Sequence, residues 1–259
     1  MEQSNRCNKK YVSGIAVHSC DEKVILSQIE TSIRTAKTIN HVSITNTESM
    51  YFAERNSEHL AYINSAAFSL CDGMGSVIAG KFQGEEIKRF HGPDFMLKAC
   101  EFGQQYGWKH FFYGGKEGVA NILAENLKKK YPDLQIAGTF CPPFRELSSD
   151  EEKDMIKYIK ECKPDIIWVG LGLLKQEKWI KKYQKEIDVP WAVGVGAAFD
   201  FYAGTVKRAP EIYQKIGLEW LYRLLREPRM FKRNVNSFLF MFRAMGIGLR
   251  NKFLKKGNK

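Results

Sequence analysis

At 259 residues, with 44% hydrophobic and 13% aromatic residues, the chain can bury a large core and is too apolar for a disordered protein. Its net charge of +11 sits at one end: residues 207–259 carry 14 Lys and Arg against 3 Glu, leaving 1–206 balanced, which points to an anionic partner for that end. The polar start and the lack of an apolar run near 20 residues argue against a secretory leader or a spanning helix, so the expected place is inside the cell.

In chain order, residues 11–17 read as a first strand and Ser19 as the cap of a helix over 22–37. A second strand over 41–45 ends in Thr45-Asn46-Thr47, and helical segments over 48–55 and 58–68 lead to Leu70-Cys71-Asp72-Gly73-Met74-Gly75. An acidic residue between an apolar run and two close glycines suits a carboxylate at a cleft. Asp72 can serve there as a general base, with Arg89 and His91 supplying positive charge, and it equally suits the N-cap of the next helix.

After a helix over 95–106, a strand over 109–113 stops at Gly114-Gly115, and a helix from about Lys116 follows. Free backbone N–H groups and the helix dipole would favour an anion there, although a plain tight turn has the same pattern. Residues 135–139 form the next strand, Ser149-x-x-Glu152 matches a capping box, and the continuously apolar 166–170 has the look of a buried parallel strand. Lys175-Gln176-Glu177-Lys178-Trp179 then opens a helix at a strand's carboxyl end, where open α/β sheets bind ligands.

The last strand covers 191–196. Strand and helix alternate throughout, which predicts an α/β fold: a Rossmann-like, mostly parallel sheet with helices on both faces. From Pro210 onward aromatic and aliphatic residues interleave with Arg and Lys, so 1–208 reads as the core and 209–259 as a basic amphipathic appendage suited to an anionic membrane surface. Six scattered cysteines without a Cys-x-x-Cys pair, and dispersed histidines, predict reduced thiols and no metal site.

Several segments agree, in order, with one family. They are Thr45-Asn46-Thr47-Glu48, Asp72-Gly73-Met74-Gly75, Arg89-Phe90-His91-Gly92-Pro93-Asp94, Gly114-Gly115, Lys175-Gln176-Glu177-Lys178-Trp179, and Gly194-Val195-Gly196-Ala197-Ala198-Phe199-Asp200 running on to Arg208-Ala209-Pro210. Over nearly the whole chain the sequence resembles the WecG/TagA/CpsF glycosyltransferases, glycosyltransferase family 26. The resemblance implies an inverting transfer, without metal or other cofactor, from a UDP-sugar to a lipid-diphosphate-linked sugar in cell-envelope polysaccharide synthesis.

It further implies catalytic roles for Asp72, Arg89 and Gln176, with Asp72 as the base, and substrate contacts around Thr45, Asn46, His91, Gly114, Gly115, Lys175, Asp200 and Arg208. Ile44 stands where many members carry the threonine of a Thr-x-Asn segment, and Thr45 follows it. Arg223, Arg226 and Arg229 match the family's basic membrane-docking part, next to the acceptor diphosphate. The implied location is peripheral, on the inner face of the bacterial cell membrane; assembly of several copies is compatible with this. Two other readings compete: a nucleotide-cofactor α/β enzyme built on Gly114-Gly115, which lacks the full glycine fingerprint, and a nucleic-acid module using the basic end, which lacks any recognisable motif.

Overall fold

The structure is a computed structural model that describes residues 7–35, 38–227 and 230–257. Its first part comprises β1 Asn8–Val12, β2 Ile15–Ser19, α1 Glu22–Thr35, β3 Asn40–Asn46, α2 Thr47–Ala53, α3 Ser57–Ser65, β4 Phe68–Asp72 and α4 Met74–Phe82. There follow α5 Gly92–Gln104, β5 Lys109–Gly114, α6 Val119–Lys130, β6 Gln135–Phe140, α7 Ser149–Cys162, β7 Ile166–Gly170, α8 Lys175–Ile187, β8 Trp191–Gly194 and α9 Ala198–Ala203. The chain closes with α10 Glu211–Lys215, α11 Glu219–Arg226 and α12 Met230–Gly257. The strands take the order β1-β2-β4-β3-β8-β7-β5-β6 in a mostly parallel sheet, so the α/β fold is as expected.

Two compact units arise, neither of them a continuous stretch. One takes the chain up to Asp21, Ile44–His91 and Arg208 onward; the other takes Glu22–Ser43 and Gly92–Lys207. β3 belongs to both, with its first residues in one unit and its last three in the other.

In the first unit the strand expected over 11–17 is instead an antiparallel hairpin, Val12 facing Ile15. Ser13 and Gly14 turn the chain with φ of 51° and 79°, the left-handed pair that a two-residue hairpin requires. One step further along the same register Cys7 faces Cys20, Cα atoms 4.6 Å apart, and the two form a disulfide. This corrects the expectation of reduced thiols: strand pairing makes the contact, and a spacing of 13 residues gives no hint of it. Cys71, Cys100, Cys141 and Cys162 are free.

The helix expected to run to Phe68 stops at Ser65, and Phe68–Asp72 is a strand, four of its five residues buried. A short apolar run buried on both faces has no periodicity to separate it from a helix end. The described residues of the stretch read as an appendage, 209–227 and 230–257, cluster with this unit. α12 packs on α2 and α4, with Phe240 and Ala244 fully buried, and Gln83 Nε2 donates to the Ala244 carbonyl at 3.1 Å.

In the second unit β8, β7, β5 and β6 run parallel, joined at one side by the start of β3. The fully buried Phe95, Phe111, Phe112, Trp168 and Phe199 fill its core. Helix α6 begins at Val119, because Gly118, at φ 79°, takes the cap position. The capping box lies one residue before the expected one. Ser148 Oγ accepts the Glu151 N–H and the Glu151 carboxylate accepts the Ser148 N–H, while Glu152 bonds Lys182 and Tyr183 across to α8.

Candidate active site

Asp72 is the last residue of β4 and does not cap α4. The cap is Gly73, whose φ of 102° and ψ of 149° only glycine adopts readily, and no side chain caps the helix there. The carboxylate is therefore not consumed by the helix. Phe90 donates its N–H to the Cys71 carbonyl at 2.8 Å and pairs with Asp72 as a short parallel bridge, which lays the Arg89–His91 segment along the end of the strand. His91 Nδ1 stands 4.0 Å from Asp72 Oδ1, with about a quarter of each side chain exposed (23% and 27%).

Arg89 donates through Nη1 to the Gln214 carbonyl at 3.0 Å, tying α10 to this segment; its Nε is buried with no hydrogen-bond partner among the described residues. On the other side of the strand end, Gly75 lies so near α2 that a Cβ would come within 2.7 Å of Thr47 Oγ1.

Asn46 caps α2, its Oδ1 accepting the Ser49 N–H at 2.8 Å, and Ser49 Oγ lies 2.9 Å from Nε2 of the buried His59. Thr45 is fully buried with its hydroxyl 2.9 Å from that of Ser69 on β4. Direct contact with a substrate, as expected for Thr45, does not fit an inward-facing hydroxyl; what it holds in place is the strand that carries Asp72.

Of the basic residues expected near the acceptor, Arg223 pairs with Glu227 at 3.4 Å and Arg226 is exposed, lying over the Tyr222 ring at 4.9 Å. Arg208 pairs with Glu219 at 3.6 Å. Arg229 lies outside the described residues.

Two residues that the sequence reading did not single out belong to this cluster. Arg233, at the start of α12, reaches Glu48 Oε2 at 3.2 Å. Burial and the neighbouring Arg223 pull its guanidinium below the usual range, while Glu48, Asp72 and Glu227 oppose them. Burial raises the Glu48 carboxyl, against Arg233 and an Asn236 hydrogen bond. The signal available in sequence was Glu48 itself, two residues after the helix-capping Asn46; its partner lies far along the chain.

The second unit holds the remaining candidates at the carboxyl ends of parallel strands. Gly114 has φ of 131°, and a Cβ there would lie 2.6 Å from the Gly170 carbonyl oxygen. Gly115, at φ 76°, donates its N–H to that same oxygen at 3.1 Å. That N–H is spent on the end of β7, and no side chain caps the first turn of α6.

After β7, Gly172 and Leu174 turn the chain with φ of 83° and 68°, and α8 begins. Gln176 Oε1 accepts the Gly196 N–H at 3.0 Å, and its Nε2 donates to Glu177 Oε1 at 3.2 Å. Glu177 is only 6% exposed, and burial pushes its carboxyl up to about 7. Lys175 is exposed at the helix start. Asp200 accepts from the Thr205 hydroxyl at 3.1 Å, a contact that shapes the turn after α9.

Against known proteins, the family model described as "Glycosyl transferase WecG/TagA/CpsF family" matches residues 10–254. An N-acetylglucosaminyldiphosphoundecaprenol N-acetyl-beta-D-mannosaminyltransferase of Bacillus spizizenii is 31% identical over 209 residues, 80% of this chain and 79% of that protein. One of the same name from Staphylococcus aureus (strain MW2) is 27% identical over 245 residues, 94% of both chains.

Proposed function

The chain belongs to the WecG/TagA/CpsF family of glycosyl transferases, and from that premise we propose that it moves a hexose of N-acetylmannosamine type from a UDP-sugar to an N-acetylglucosamine on a polyprenyl diphosphate, in cell-envelope polysaccharide synthesis. The names of the relatives support the acceptor and the sugar. The observation that carries the chemistry is Asp72: a part-exposed carboxylate at a strand end, free of capping duty, with His91 beside it and Arg233 close enough to feel its charge.

In this reading Asp72 takes the proton of the acceptor hydroxyl as that oxygen attacks the anomeric carbon, and the bond from that carbon to the UDP oxygen breaks with inversion. UDP departs carrying the electron pair. Its growing charge calls for cationic or N–H donors, the role proposed for Arg89 and, from the family resemblance, for the Gln176 amide, and no divalent ion is required. His91 stands beside the base, Lys175 adds positive charge at the start of α8, and Asn46 and Asp200 each hold a local turn. Arg208, Arg223, Arg226 and Arg229 favour the acceptor diphosphate, joined by Arg233.

No helix among the described residues is long and apolar enough to cross a membrane. Leu225, Phe231 and Phe242 are 78%, 66% and 65% exposed, next to Arg226, Lys232 and Arg243, which suits α11 and α12 lying on the anionic inner leaflet where the acceptor is anchored.

The test is turnover with a panel of UDP-sugars and a short-chain lipid diphosphate bearing N-acetylglucosamine, products read by mass spectrometry, with and without EDTA. One added hexosamine, UDP release and indifference to EDTA are expected. No transfer from any donor would refute the reading, and activity that dies with EDTA and returns with magnesium would refute its account of the leaving group.

A further inference from the structure

Glu177 is a buried ionisable group for which the transfer chemistry above has no use. It stands third in α8, and its carboxylate accepts its own backbone N–H and that of Leu174, half of a capping box whose other half is missing because the cap residue is a leucine. Oε1 also accepts from Gln176 Nε2 at 3.2 Å, and Oε2 is buried with no partner among the described residues.

The amide of Gln176 has two nearly isosteric orientations, and its neighbours decide between them. Gly196 offers an N–H, which only the amide oxygen can accept; Glu177 offers a carboxylate oxygen, which only the amide nitrogen can satisfy. Gly194 makes the space the amide occupies: a Cβ there would lie 2.7 Å from Gln176 Nε2 and press it out of this position.

We propose that Glu177 is a positioning residue that fixes which face of the Gln176 amide is presented, and with it the 171–174 turn. The inference rests on the reading of Gln176 as a pocket residue. Removing the acceptor at 177 leaves one of the two constraints on the amide, and misorientation of a group that meets developing charge lowers the rate of the chemical step more than it weakens donor binding.

The experiment is a double-mutant cycle on the full chain, reading kcat and donor KM, with thermal melting to confirm folding. Gln176→Leu and Glu177→Met are each expected to lower kcat about tenfold or more with donor KM changed by less than about twofold. The double variant should be no worse than Gln176→Leu alone, because Glu177 then has nothing left to orient. Glu177→Gln, which keeps an acceptor oxygen at the same reach, should recover most of the rate.

A double variant whose loss is the product of the two single losses overturns the proposal, as does full turnover in Glu177→Met beside a damaged Gln176→Leu. Full turnover in Gln176→Leu removes the pocket reading of Gln176 itself, and the proposal with it. Should Glu177→Met not fold, Glu177→Asp replaces it in the same cycle: it keeps the charge and is one methylene short of the amide.

Discussion

The buried carboxyl of Glu177 ties stability to pH. Burial lifts it from an ordinary 4.5 to about 7 in the folded chain, so between those limits the folded state holds a proton that the unfolded state has lost. Its contribution is complete below about pH 4.5 and disappears as pH rises through 7, with a size on the order of 3 kcal/mol. Between pH 5 and 8 the wild-type Tm should therefore fall by roughly 5 °C or more relative to that of Glu177→Gln. Parallel Tm profiles for the two proteins would show that the group does not titrate in that range. Asp72 stood out in sequence because a carboxylate beside glycines is chemically conspicuous. Glu48 and Glu177 were passed over because their roles come from partners, Arg233 and the Gln176 amide, which a residue type alone does not reveal.

At the scale of elements, α12 presents two kinds of surface. Phe240, Ala244 and Gly248 face α2 and α4, and a Cβ at Gly248 would strike the Phe82 carbonyl. Phe231, Leu239 and Phe242 are exposed. Deleting the chain after Arg208 would uncover core and remove the carbonyl that Arg89 binds, so truncation is a poor test of membrane docking. Leu225→Ser, Phe231→Ser and Phe242→Ser combined should leave melting nearly unchanged and sharply reduce sedimentation with anionic vesicles. Equal sedimentation of variant and wild type would remove the membrane role of this face.

The amphipathic basic pattern was plain in sequence, and so were β3, β5 and β7, whose runs lie within a residue or two of their positions in the fold. The first hairpin was not, because Ser13-Gly14 interrupts an apolar run too briefly to break its pattern. The capping box missed by one residue because Ser148-Ser149 and Glu151-Glu152 offer two equivalent registers, and Arg145, which grips Glu151 with both guanidinium nitrogens, accompanies the one adopted.

For the molecule as a whole, the alternation of β and α followed from periodicity, since each segment's pattern is local; the strand order did not, because pairing between strands is set by tertiary contacts. The division into two units did not, because a boundary inside β3 coincides with no change in composition and no linker. The charge asymmetry was legible at once, and the proposed function gives it a use: for an acceptor anchored in lipid, cations gathered at one end of the chain would concentrate the enzyme on an anionic surface. Every part of that account converges on one proton transfer, and turnover of Asp72→Asn measures it most directly. With the lipid diphosphate acceptor and the best UDP-sugar of the panel, the variant should melt like wild type, bind UDP with unchanged affinity and lose at least about 10²-fold in kcat. Turnover within a few-fold of wild type would contradict the assignment of Asp72 as the base.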